Sequence, residues 1–290
     1  MKRIAILGLG LMGGSIGLAL KNRRSPWTVA GYARRAETRD LALARNVVDE
    51  AHAEPGAAVR DADLVVLCLP IMANLSLLES CLEDLRDDAL VTDVGSTKAD
   101  LTKGIDALLV NRGASYVGSH PVAGSEKQGV EAAIPDLYQD ALVIVTPSAS
   151  STSAQVEMVS TFWRDLDSTV LVQSAEEHDQ WMARTSHLPH MAAAALVASV
   201  GRGDDLARIR TFCGSGFRDT TRVAEGSPEV WLDILRTNRQ NVVSELLLFK
   251  EEIESLCDHL AEERDHDVLS FLATCRNARQ ELAGPADRTT

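Results

Sequence analysis

The chain predicts an α/β protein in which a doubly wound parallel sheet is followed by an all-helical domain. Three observations carry this prediction. Through the first half, short and nearly continuous aliphatic runs alternate with helical stretches. That is the pattern of strands buried on both faces and joined by crossover helices. The first run leads straight into a glycine-spaced turn, Gly8-Leu9-Gly10-Leu11-Met12-Gly13. From about Glu176 the aliphatic runs stop and long amphipathic patterns take over. The expected division is residues 1–174 for the sheet domain and 175–290 for the helical one.

The strand candidates are residues 3–7, 28–32, 64–69, 90–94, 115–119, 141–146 and, as a short closing strand, 169–172. Residues 148–153 read as a loop. In the second half, helices are expected over residues 178–200, 204–212, 228–260 and 262–282. Ser227 followed by Pro228 is a helix start, with the serine as N-cap and the proline in the first turn. The helix expected from Pro228 is longer than a small monomeric domain needs. Its apolar stripe (Trp231, Ile234, Leu235, Val242, Leu246, Phe249, Ile253, Leu256, Leu260) predicts a homodimer interface in the helical domain, with packing inside one subunit as the plainer reading. Residues 284–290 are expected to be a disordered tail.

Composition narrows the function classes. The chain has 290 residues, 45% hydrophobic and 24% charged, with a formal net charge of -13. An acidic surface argues against nucleic acid or an anionic membrane as partner. It leaves an anionic small substrate open, because local arginines override a global field. The cysteines at 68, 81, 213, 257 and 275 contain no Cys-x-x-Cys pair and read as reduced thiols. No secretory signal and no run of about 18 apolar residues is visible, so the cytoplasm is the expected location.

Gly8, Gly10 and Gly13 fit a dinucleotide-binding turn of the Rossmann type. The first permits the tight turn, the second lets backbone approach a pyrophosphate, and the third lets helix pack on strand. The free N–H groups at Leu11, Met12 and Gly13 then face phosphate at a positive helix end. An NAD site usually carries an acid at the end of the second strand to hold the ribose 2′-hydroxyl. Here that stretch reads Gly31-Tyr32-Ala33-Arg34-Arg35. Ala33 stands in the acid's place, and Arg34 and Arg35 are placed to neutralise a 2′-phosphate. NADP is therefore expected over NAD, the alternative being a solvated pair of arginines.

Further on come Asp93-Val94-Gly95-Ser96-Thr97-Lys98, Ser119-His120-Pro121-Val122-Ala123-Gly124-Ser125-Glu126, Ser186-His187-Leu188-Pro189-His190 and Gly216-Phe217-Arg218-Asp219-Thr220-Thr221-Arg222. With the glycine turn, this ordered set closely resembles the prephenate/arogenate dehydrogenase family of tyrosine biosynthesis, over nearly the whole chain. The resemblance implies oxidative decarboxylation of a cyclohexadiene, with hydride passing to the nicotinamide. It implies His120 as the hydrogen-bond acceptor on the substrate 4-hydroxyl, which requires a neutral imidazole, and Ser96 as a second group holding that hydroxyl or orienting His120. It implies Arg222 on a substrate carboxylate and His190 on the substrate side chain. His187 and Ser186 would form the same wall, with Glu126, Asp179, Asp219 and Trp231 at gate or supporting positions. Taken singly, Arg218 and Arg222 also read as surface partners of Asp219 and Glu225, and His187 and His190 as core or helix-surface histidines.

Prephenate and L-arogenate differ only in a keto or amino side chain, and the pattern leans slightly toward arogenate through the NADP-type second strand. The chain stops too soon for an appended regulatory ACT domain, and nothing before the glycine turn has room for a chorismate mutase. Any tyrosine feedback would then act at the active site. The competing readings are another β-hydroxyacid or imine-type dehydrogenase, which would place a lysine or aspartate on the long helix, and a non-catalytic NADP-sensing protein. His120, His187 and His190 could in principle converge on zinc, but nothing in the motif set requires a metal, and none is expected.

Overall fold

β1 (Arg3–Leu7) opens the chain because the aliphatic run Ile4-Ala5-Ile6-Leu7 meets Gly8, whose φ of 116° turns the backbone sharply. The computed structural model describes residues 2–124, 127–203 and 205–282. Contacts divide the chain into two compact units, within residues 1–241 and 242–290. In the first, β1 is followed by α1 (Leu11–Asn22), β2 (Thr28–Tyr32), α2 (Ala36–Ala44), β3 (Glu50–His52), α3 (Pro55–Val59), β4 (Leu64–Leu67), α4 (Ile71–Ser80), β5 (Leu90–Asp93), α5 (Ala99–Leu109) and β6 (Ser115–Pro121). β7 (Leu142–Pro147), α6 (Ser153–Arg164) and β8 (Thr169–Val172) complete the sheet. α7 (Ala175–Met182), α8 (Leu188–Val200), α9 (Leu206–Phe212), α10 (Ser215–Thr221), α11 (Pro228–Thr237) and the beginning of α12 (Arg239–Ala261) follow. The second unit holds the rest of α12 and α13 (Asp265–Leu282).

The eight strands lie in the order β3-β2-β1-β4-β5-β6-β7-β8. Alternate side chains of one strand feed opposite faces. Ile4 and Ile6 join a core with Ile16 and Leu20 of α1 and Phe162 and Trp163 of α6. Ala5 and Leu7 join the opposite core, with Leu78 of α4 and Leu101 and Ile105 of α5. Burial on both faces explains why β1 and β4 carry no alternation of polar and apolar residues. The strand order brings the carboxyl ends of β1, β4, β5 and β6 side by side, where an open α/β sheet forms its ligand crevice.

The sheet is mainly parallel, with one reversal: β6 pairs antiparallel with β7, setting His120 opposite Ile144. Among its described residues the chain between them carries a short 3₁₀ turn, Val130–Ala132, and no α-helix, where a parallel return needs a full crossover. β8 returns parallel to β7 through α6. β6 extends two residues beyond the expected strand, so His120 lies inside it. β3 was not anticipated, since Glu-Ala-His has no apolar run; it pairs with β2 through backbone bonds.

Two expected long helices are broken. The stretch from His178 to Val200 contains a π-helical turn, Ala183–His187, just before Pro189, whose missing N–H cannot pair with a carbonyl four residues back. The expected helix over 228–260 divides at Asn238 (φ -127°, ψ 28°), whose buried side chain turns inward to Asp179. Ser227 does cap α11, with Pro228 in its first turn. Asp205 caps α9, accepting from the backbone N–H of Arg208 at 2.9 Å. In the second unit Leu247, Leu248, Ile253 and Leu260 of α12 and Leu269 and Leu272 of α13 are exposed. The expected disordered tail, residues 284–290, lies outside the described residues. Among the described residues no helix is long and apolar enough to cross a membrane.

Candidate active site

The site has a nucleotide end and a reacting end. At the first, a Cβ on Gly8 would stand 2.7 Å from the Cys68 carbonyl oxygen, and one on Gly13 would stand 2.1 Å from the Gly8 carbonyl oxygen. Neither position tolerates a side chain. Gly10 faces open space. It precedes α1 without a side-chain cap, and the first turn of α1 carries no acid. The N–H groups of Leu11, Met12 and Gly13, the first residues of the helix, thus have no intrahelical acceptor and favour an anion. Tyr138 donates to the Met12 carbonyl at 2.7 Å and steadies that turn.

A cavity of about 720 Å³ opens here, lined among others by Gly8, Gly10, Tyr32, Ala33, Arg34, Arg35, Thr38 and Pro70. Arg39 fixes the rim by donating to the carbonyls of Ala33 and Arg34 at 2.8 and 2.9 Å. The residue after β2 is the buried Ala33, so no carboxylate stands at that point, and two exposed guanidiniums follow it. These residues fit a nicotinamide dinucleotide: a glycine turn a Cβ would fill, an uncapped helix start, and two arginines lining the same cavity.

The reacting end is built on Asp93, which is fully buried at the end of β5. Its carboxylate accepts from the Tyr116 hydroxyl at 2.8 Å, the Ser119 N–H at 3.1 Å and the Gly95 N–H at 2.7 Å, and it pairs with the buried Lys98 ammonium. Lys98 also donates to the Ser119 carbonyl at 2.9 Å. The turn carrying Ser96 and the strand end carrying His120 are therefore locked to one another. Thr97 and Thr237 share a 2.7 Å hydroxyl contact that ties this turn to α11.

His120 is half-buried. Its Nδ1 lies 2.8 Å from Nε2 of His178, and Nδ1 of His178 lies 2.8 Å from Oδ1 of Asp179. Asp179 in turn accepts from the backbone N–H groups of Lys98 and Ala99, at 2.8 and 2.9 Å, at the start of α5. Burial, reinforced by His178, Lys98 and His187, pushes His120 well below the ordinary histidine value. The ring is therefore neutral at pH 7, and among the described residues its Nε2 has no hydrogen-bond partner. Burial also lowers His178, against the opposing pull of Asp179.

A second aromatic group forms across the π-helical turn. His187 is buried and pushed down to about 4 by burial. The amide of Asn238 lies 3.2 Å from His187 Nδ1 and donates to the Asp179 carbonyl oxygen at 2.7 Å. His190 stacks on Trp231 with centroids 3.4 Å apart, and His187 meets the same indole edge-on at 5.9 Å. A Cβ on Gly226 would reach 2.6 Å from the Trp231 indole nitrogen and 3.0 Å from the His190 ring.

Of the residues expected from sequence, His187, His190 and Trp231 are brought together, and Asn238 and Asp179 connect them to His178 and His120. Ser96 is half-buried in the turn after β5. Ser186 is exposed, next to buried His187, and Arg222 is exposed at the start of the 3₁₀ turn Arg222–Glu225. Glu126 lies outside the described residues. Sequence reasoning missed His178 and Asn238. A signal for His178 existed: the capping box of Ser174 and Glu177 fixes the start of α7, so Ala175, His178, Asp179 and Met182 share its buried face. Among the described residues no group of three His, Cys, Asp or Glu side chains is arranged to hold a metal ion.

Residues 16–172 match the family model described as "Prephenate dehydrogenase, nucleotide-binding domain", and residues 174–274 match "Prephenate dehydrogenase, dimerization domain". The chain is 34% identical to the cyclohexadienyl dehydrogenase of Zymomonas mobilis, over 97% of this chain and 96% of that protein. It is 32% identical to the prephenate dehydrogenase of Bacillus subtilis, over 96% of this chain and 76% of that protein. Among solved structures it resembles A. aeolicus prephenate dehydrogenase in complex with hydroxyphenyl propionate and NAD+, with TM-score 0.90, 30% identity, and 97% and 98% of the two chains covered. Synechocystis arogenate dehydrogenase superposes with TM-score 0.84 at 28% identity, covering 97% and 99%. On its glycine turn, its strand-end histidine and these matches over both halves, this chain belongs to the prephenate dehydrogenase family.

Proposed function

We propose that the chain oxidatively decarboxylates a cyclohexadienyl acid, L-arogenate to tyrosine or prephenate to 4-hydroxyphenylpyruvate, with NADP as the preferred hydride acceptor. The observation that carries this reading is the half-buried, uncharged imidazole of His120 at the carboxyl end of β6, with Nδ1 engaged and Nε2 without a partner among the described residues. When bound, the nicotinamide dinucleotide supplies the hydride acceptor.

His120 accepts the substrate 4-hydroxyl at Nε2. As hydride leaves C4, the C4–O bond gains double-bond character and the hydroxyl proton becomes more acidic, so this hydrogen bond strengthens toward the transition state. The C1–carboxylate bond then breaks, its electron pair enters the ring as it aromatises, and the product keeps the proton as a phenol. Ser96 holds the same hydroxyl. Arg222 takes a carboxylate through paired N–H donors. His190, His187, Ser186 and Trp231 form the side-chain wall, and Glu126 belongs to its gate.

At the nucleotide end Gly8, Gly10, Leu11, Met12 and Gly13 receive the pyrophosphate, and Arg34 and Arg35 receive the 2′-phosphate. Both arginines line the cavity where Ala33 replaces an acid. The functional division follows residues 1–174 and 175–290, in line with the two family models. Two copies associate through the helical half, whose apolar side chains on α12 and α13 are exposed in the single chain. The NADP-type second strand favours L-arogenate. Steady-state rates with both dienes, each crossed with NADP and NAD, test the reading. Turnover of at least one diene, with kcat/KM at least tenfold higher for NADP, is expected. Inertness toward both dienes overturns the activity, and preference for NAD overturns the cofactor assignment.

A further inference from the structure

We propose that His178 and Asp179 are positioning residues that hold His120 as the tautomer protonated at Nδ1 and bare at Nε2. The catalytic consequence rests on the reading of His120 as hydroxyl acceptor; the tautomer itself rests on hydrogen-bond direction and on an uncharged, fully buried His178.

The direction is set at Asp179. Its two carboxylate oxygens accept from the Lys98 and Ala99 N–H groups, and its own peptide oxygen accepts from Asn238. The carboxylate is therefore fixed by the start of α5, and the backbone of the same residue by Asn238. A carboxylate only accepts, so the 2.8 Å contact at Oδ1 requires a proton on Nδ1 of His178. His178 is fully buried and neutral, so its Nε2 carries a lone pair. That lone pair faces Nδ1 of His120 at 2.8 Å, and Nδ1 of His120 must donate. One proton per ring then leaves Nε2 of His120 without hydrogen, the state a hydroxyl acceptor needs.

A solvated histidine side chain prefers the opposite tautomer, with the proton on the nitrogen that His120 must keep bare. A histidine at this strand end without His178 would thus present mostly a donor to an alcohol. The charged and titratable groups facing the pair are Lys98, His187, Asp179 and Asp93. Lys98 disfavours a second proton on either ring. Asp179 favours one on His178, but it sits beyond the nitrogen that already donates to it. As the proton of the substrate hydroxyl moves toward Nε2, positive charge growing on His120 is shared through His178 toward the carboxylate.

The test is the long-range ¹H–¹⁵N spectrum of the intact enzyme labelled with ¹⁵N-histidine, with His120 assigned by its loss in His120→Asn. A proton on Nδ1 and a bare Nε2 in the wild type are expected; a proton on Nε2 overturns the proposal. His178→Leu removes the acceptor, and His178→Gln restores one through its amide oxygen. With substrate and cofactor KM unchanged, His178→Leu should lower kcat by on the order of 100-fold, and His178→Gln should recover most of that loss. Equal kcat in the two variants overturns the proposal. The two readings separate cleanly: the expected tautomer in an enzyme inert toward both dienes sinks the activity and leaves the tautomer argument standing, while a turning-over enzyme with Nε2 protonated does the reverse.

Discussion

Lys98 and Asp93 form an ion pair with neither side chain exposed, and the same ammonium donates to the carbonyl of Ser119, the residue before His120. Burial lowers the Lys98 ammonium, and Asp93 opposes that shift. Removing one member of such a pair strands the other charge, a loss of about 3–5 kcal/mol. Lys98→Met should therefore lower unfolding free energy by that amount in denaturant titration. Tyr116→Phe, which deletes one neutral donor to the Asp93 carboxylate, should cost less, about 1.5–3 kcal/mol. A Lys98→Met loss no larger than that of Tyr116→Phe would show that the charge pair does not hold this strand end.

Acid pH should act on catalysis and on stability with the same sign. Activity needs His120 unprotonated, and its affinity for a proton lies well below the ordinary value of 6.5. The profile of kcat/KM should stay level as pH falls through 6.5 and turn down only below it; an acid limb centred at or above 6.5 would contradict a buried, neutral ring. His178, His187 and His190 are lowered as well. Each binds a proton more readily unfolded than folded, so its contribution is fully present above the unfolded value and is lost as pH falls. For His187 that window runs from 6.5 down to about 4. Chemical denaturation at stepped pH should show stability falling across it.

Gly226 tests the His190–Trp231 stack. A methyl group there must displace the indole or the imidazole. Gly226→Ala should raise KM for the diene about tenfold or more, leave cofactor affinity unchanged, and alter tryptophan fluorescence. An unchanged KM would place the substrate wall elsewhere.

Replacing Arg34 and Arg35 by serine removes the charge at the ribose end of the cavity. Charged hydrogen bonds of about 1.5–3 kcal/mol correspond to roughly a 10- to 100-fold rise in KM for NADP. KM for NAD should barely move. Equal effects on both cofactors would make the arginines a general rim rather than a 2′-phosphate site.

Much of this was legible in the chain because local pattern and function coincide there. Gly8, Gly10 and Gly13 follow a strand and open a helix, and aliphatic strands buried on two faces need no alternation to be seen. What escaped was decided by distant partners. His178 is 58 positions from His120, in a polar run that reads as a solvated helix start, and only the packing of α7 turns it inward. Asn238 breaks an otherwise continuous apolar stripe because its amide meets Asp179 and His187, 59 and 51 positions away. The reversal at β6 and β7 depends on a connection with no α-helix among its described residues, and β3 on backbone pairing with no apolar signal.

The central claim is that an uncharged His120 draws on the substrate alcohol as hydride departs. His120→Asn, assayed for diene turnover with NADP binding measured in parallel, tests it most directly. The account predicts normal cofactor affinity with kcat lowered by roughly two or more orders of magnitude; a variant that binds NADP and turns over at a near-normal rate would contradict it.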